Sequence, residues 1–161
     1  NFTYLDKIPK ARDCTVDVVM GDARVSLERE LKEEGPMNYD VIHLDAFSGD
    51  AIPAHLLTDE SFGLYEQHLR HEERTDEKTG KVVQVPVGIV VVHISNRYLD
   101  LEPVVAAIAE KHGYRTWSVH KTEDGGPTDT ASDWILVSKN DEFMDNPKVK
   151  DASEPLAPAM P

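Results

Sequence analysis

The chain has 161 residues, enough for one compact domain with one core, and 40% of them are apolar. No stretch approaches the roughly 18 consecutive apolar residues of a membrane helix, and the amino end lacks the basic region and apolar run of a signal peptide. Thirty acidic residues against 17 Lys and Arg give a net charge of −13, which repels phosphate backbones and argues against nucleic acid as a partner; the same field suits a cationic substrate, and is also an ordinary solubility device.

Cys14 is the single cysteine, so no intrachain disulfide forms and a reducing compartment is expected. Five apolar runs then punctuate the chain: Val16 to Met20, Tyr39 to Leu44, Val87 to Ile94, Tyr114 to Val119 and Trp134 to Val137. Their continuous hydrophobicity predicts parallel strands covered on both faces. Helices are predicted between them. Ala23 to Glu34 carries Val25, Leu27 and Leu31 among charges and stops at Gly35-Pro36, and residues 59–70 begin behind Thr58 with Phe62, Tyr65 and Leu69 on one face. A third helix opens at Pro103 and ends at Gly113. Residues 71–86 read as an exposed hairpin-like insertion around Lys78-Thr79-Gly80-Lys81. Residues 139–161 turn polar and proline-rich, which predicts a flexible tail.

In open α/β sheets, ligands sit beyond the carboxyl ends of the strands, which directs attention to the residues after each run. After the first come Gly21, Asp22 and Ala23: glycine admits a ligand close to the backbone, and Asp22 is placed either to accept from an adenine amino group or to cap the helix that follows. After the second, Asp45 and Asp50 lie on one Gly- and Pro-containing loop, read either as a carboxylate pair for an amine substrate or as an acidic surface turn. After the third come His93, Ser95, Asn96 and Tyr98, with His93 either supporting the site or satisfied in the core.

Other chemistries fit poorly. His68-x-x-His71 lacks the further ligands of a metal site, so no metal is expected. Ser48 and Ser95 lack the Gly-x-Ser-x-Gly context of a nucleophile, and no Gly-x-Gly-x-x-Gly occurs; Asp124-Gly125-Gly126-Pro127 reads as a turn between the last two strands.

The combination of Gly21-Asp22-Ala23-Arg24, Tyr39 to Asp45, Pro53 to Thr58 and His93 to Asn96 resembles the spermidine synthase-like family, over residues 1–138, and looks closest to its transporter-fused branch. The resemblance implies a Rossmann-like methyltransferase fold with strand order 3-2-1-4-5-7-6, decarboxylated S-adenosylmethionine or S-adenosylmethionine as cofactor-like substrate, and transfer of an aminopropyl group to a small cationic amine. It implies that Asp45 accepts the proton and that Asp22 and Ala23 contact adenine; the strand-end reading adds Asp50, which stands off the family motif, and His93, Asn96 and Tyr98 as substrate-binding residues. Ser48 stands where the family has its second aspartate, which keeps an S-adenosylmethionine methyltransferase in view.

The same resemblance places Asn1 about a third of the way into the family domain, so that only strands three to seven are expected, with weak or absent cofactor binding by this chain. A non-catalytic interaction domain that retains the fold is then a further alternative. Strand three would have no neighbour and strand four a bare edge, which favours a homo-oligomer through that edge. The resemblance to the transporter-fused branch implies a cytoplasmic domain, with membrane segments elsewhere in the parent protein.

Overall fold

The computed structural model describes residues 14–46, 53–96, 98–122 and 130–156. Helix α1 (Ala23–Glu33) starts behind Asp22, whose carboxylate accepts from the Val25 N–H at 3.0 Å. Strand β1 (Val41–Leu44), a short 3-10 turn (Ala54–Leu56) and helix α2 (Asp59–His68) follow; Thr58 caps α2 by accepting from the Ser61 N–H. Next come β2 (His71–Thr75), β3 (Val82–Pro86), β4 (Ile89–His93), helix α3 (Glu102–Lys111), β5 (Arg115–Lys121) and β6 (Ser132–Ser138). Two short helices, α4 (Asp141–Met144) and α5 (Pro147–Asp151), lead to β7 (Glu154–Pro155).

The fold is mixed α/β. Its main sheet has the order β1-β4-β6-β5-β7, and β2 and β3 form a separate antiparallel pair over the 71–86 insertion. The turn of that pair is built by Asp76, whose carboxylate accepts from the Lys78 and Thr79 N–H groups. The sequence predicts parallel strands throughout, but only β1 and β4 run parallel; β6 is antiparallel to both β4 and β5. The physical reason is connection length. A parallel return needs a crossover of a dozen or more residues, and only ten separate Lys121 from Ser132.

A second expectation fails at Val16 to Met20, which is not a strand. Met20 is 87% and Val18 66% exposed, and the segment has no sheet partner among the described residues. Extended apolar chain becomes a strand only when a neighbour pairs with its N–H and C=O groups, and across the hollow it shares with β1 the segment forms no ladder. Among the described residues β1 accordingly ends the sheet.

The expected flexible tail is also corrected as far as residue 156. Asn140 and Asn146 cap α4 and α5, Met144 is fully buried, and β7 pairs with Trp117 and Ser118 of β5. Short capped helices that carry one buried side chain escape a reading based on average polarity. Residues 157–161 lie outside the described residues.

The core lies between the sheet and its helices: Val90 and Val92 of β4 and Ile135 and Val137 of β6 are buried with Phe62 and Tyr65 of α2 and Val105 and Ala109 of α3. Burying side chains of this size stabilises by about 1.5–3 kcal/mol each. Burial also pushes the Tyr65 phenol up to about 12, and its O–H donates to the Leu56 carbonyl at 2.9 Å. His68, also buried, meets the Leu27 carbonyl at 2.9 Å and the Met37 N–H at 3.4 Å, so it joins α2 to α1 as a satisfied core histidine. Gly88 is required by a close approach, because a Cβ there lies 2.7 Å from the Tyr39 carbonyl oxygen.

Candidate functional site

Three chain ends meet at the carboxyl end of the parallel pair. Leu44 pairs with Val92 in β4, so the next residue, Asp45, comes level with His93. His93 in turn sits opposite Trp134, the third residue of the antiparallel β6. Because alternate residues share a face, the parallel register delivers Asp45 and His93 to each other, and Asp45 Oδ1 lies 2.7 Å from His93 Nδ1.

The imidazole is held from every side. Its Nε2 lies 3.0 Å from Ser95 Oγ, which also accepts the Asp133 N–H at 2.7 Å. Trp134 stacks on its face, with ring centroids 4.2 Å apart and planes 14° from parallel, and His43 leans on the same indole at 4.9 Å. The His93 side chain is 19% exposed, whereas the Asp45 side chain is 49% exposed. A fixed ring thus stands behind a carboxylate that faces solvent.

At the start of α1, Asp22 Oδ1 caps the helix and Oδ2 lies 2.7 Å from His55 Nε2. The Val25 N–H, and then His55, hold the Asp22 carboxyl below its ordinary range. The cap reading of Asp22 therefore describes its contacts, although each oxygen keeps a second lone pair for a ligand. Gly21 adopts φ +135°, a region that favours glycine, where the chain turns into the helix. Gly21 and Ala23 line a hollow of about 540 Å³ that also borders Leu27, Tyr39, Ile42 and Leu44. Asp22 and Asp45 are not among its lining residues; each is turned to a histidine instead.

The remaining expected residues disperse. The Asn96 side-chain oxygen accepts from the Tyr98 and Leu99 N–H groups, closing its own turn, and Tyr98 is 75% exposed. Asp50 and Ser48 lie outside the described residues. His55, Ser95, His43 and Trp134 complete the arrangement without having been assigned to it from sequence. The strand-end rule covers Ser95, but nothing in the spacing of His55 points to a partner 33 residues away.

A second chain of contacts runs along the same end of the sheet, from Asp133 Oδ1 to His120 Nδ1 at 2.8 Å and from His120 Nε2 to Ser118 Oγ at 3.0 Å. Ser118 donates to Glu102 at 3.0 Å. Asp133 raises the His120 pKa above its ordinary value, against the opposing effect of burial. Among the described residues no group of three or more His, Cys, Asp or Glu is placed to hold a metal ion, and no helix is long and apolar enough to cross a membrane.

The chain matches no protein-family model and no curated protein.

Proposed function

We propose that this chain is the sheet-bearing part of a spermidine synthase-like transferase, in which Asp45 accepts the proton of an amine that attacks the carbon next to a sulfonium. The observation that carries the reading is Asp45 itself: a half-exposed carboxylate at the carboxyl end of a parallel strand pair, oriented by His93 at 2.7 Å. An attacking amine must lose a proton as its new C–N bond forms, and a fixed carboxylate beside the nitrogen is suited to take it. The electrons of the breaking C–S bond pass to sulfur, which leaves as a neutral thioether. A carboxylate also attracts the cationic amine on approach, in keeping with the net charge of −13.

Two further observations support the reading. The order β1-β4-β6-β5 corresponds to positions 4-5-7-6 of the family sheet, with the Rossmann-like methyltransferase topology it implies. The hollow beside β1 is lined by Ala23, which the resemblance sets against adenine, and by Gly21 next to it, and its volume of about 540 Å³ lies within the range of small-molecule sites. Decarboxylated S-adenosylmethionine is the preferred donor in this proposal, Gly21 and Ala23 lie against its adenine while Asp22, turned to His55, caps the helix beside it, and a small cationic amine is the acceptor. The open edge of β1 is where a second copy pairs.

Calorimetry tests the proposal directly. Methylthioadenosine is expected to bind weakly, with affinity on the order of millimolar, and Ala23→Trp to abolish the heat. Tighter binding of decarboxylated S-adenosylmethionine than of S-adenosylmethionine supports aminopropyl transfer, and the reverse supports a methyltransferase. No heat from any of the three overturns the transferase reading in favour of an interaction domain that keeps the sheet.

A further inference from the structure

We propose that His93 is a positioning residue for Asp45, held in the Nδ1–H tautomer between the Asp45 carboxylate and the Ser95 hydroxyl, so that the carboxylate presents its second oxygen to the incoming amine. The role assigned to His93 rests on the reading of Asp45 as proton acceptor; the tautomer itself does not.

The argument is one of donors and acceptors. Ser95 Oγ accepts the Asp133 N–H at 2.7 Å and keeps a second lone pair and its hydroxyl proton, so it can serve His93 Nε2 at 3.0 Å in either sense. The Asp45 carboxylate can only accept, so the Nδ1 that faces it must donate, and Nε2 of the neutral ring then takes the Ser95 hydroxyl proton. A neutral imidazole that accepts at one nitrogen carries its proton on the other, so Nδ1–H donates to Asp45 Oδ1 at 2.7 Å. The opposite tautomer would set two lone pairs, those of Nδ1 and the carboxylate, against each other at that distance. The Trp134 ring, 14° from parallel, resists rotation of the imidazole out of this alignment. When Asp45 takes a proton on Oδ2, Oδ1 still accepts from Nδ1–H, so no hydrogen bond is lost during transfer. An isolated histidine prefers the Nε2–H form. The network therefore imposes the minority tautomer, which is measurable.

The test is a long-range proton–nitrogen correlation spectrum of the uniformly nitrogen-15-labelled chain, at a pH where the ring is neutral. The seven histidines are assigned through their own side-chain couplings, so assignment does not depend on a variant folding. The expected result for His93 is a pyrrole-like Nδ1 and a pyridine-like Nε2, and loss of this fixed pattern in Asp45→Ala. An Nε2–H tautomer, or an averaged pattern in the unsubstituted chain, overturns the proposal, as does an Asp45→Ala variant that folds and keeps the Nδ1–H form unchanged. If the Nδ1–H form is found while no nucleoside thioether binds, the transferase reading fails and the Asp45–His93–Ser95 geometry stands. If nucleosides bind and the Nε2–H form is found, the reverse holds.

Discussion

The two edges of the main sheet are treated in opposite ways. On one side β7 pairs with Trp117 and Ser118, and the chain that leads to it buries Met144. On the other side β1 ends the sheet with Val41 exposed, and the apolar segment Val16 to Met20 borders the same hollow without joining the ladder. By composition the two segments promise the contrary, since the first is polar and the second is apolar. Whether a segment belongs to a sheet rests on the lateral hydrogen bonds it forms, and hydrophobicity alone does not form them.

That contrast is sharpened by substitution. Met144→Ala and Ile135→Ala, both at fully buried positions, are expected to lose about 2–5 kcal/mol in urea unfolding. Val18→Ala and Val41→Ala on the open side should stay within about 0.5 kcal/mol, and a loss on that side as large as that of Met144→Ala would break the comparison. Next in size is Gly88→Ala, which drives a Cβ against the Tyr39 carbonyl where β4 begins; about 1–3 kcal/mol is expected from thermal unfolding.

A pH experiment probes the closed body between the edges. Burial pushes Glu66 up, but Lys139 at 2.8 Å, and then His112, together hold it below the usual carboxyl range. A depressed folded value means stability that is present above the unfolded value of about 4.3 and lost as pH falls through the folded one. Lys139→Met should flatten that acid limb, measured as urea midpoints from pH 7 downward. The smallest effect is expected at the β7 side. His120 is raised by Asp133, so its contribution is present below the unfolded value of about 6.5 and fades as pH rises through the folded one. Asp133→Asn should lower the His120 midpoint in a proton NMR titration, and an unmoved midpoint would remove Asp133 as the cause.

Much of the scaffold was legible from local pattern. Tyr39 to Leu44, Val87 to Ile94, Tyr114 to Val119 and Trp134 to Val137 each overlap a strand, and Asp22, Thr58 and Gly113 mark helix ends where side-chain chemistry places them. Gly113, at φ +70°, follows α3 in the left-handed conformation that ends helices. What stayed hidden depends on pairing between distant residues. Asp45 and His93 were each visible as strand-end residues, but their 2.7 Å contact follows from a parallel register that no local pattern encodes. Trp134 read as part of an apolar run, and only the antiparallel β6 turns its ring onto His93. His55 meets Asp22 across a loop whose course the sequence does not dictate.

The indole over His93 has a spectroscopic corollary. A protonated imidazole in van der Waals contact with tryptophan withdraws its excited state, so emission from Trp134 dims when the ring beneath it gains charge. The chain has one other tryptophan, Trp117, and replacing that residue with Phe leaves an intrinsic fluorophore seated on the carboxylate–imidazole pair. A ligand at Asp45 that alters the charge of His93 then changes the emission of Trp134, without a label.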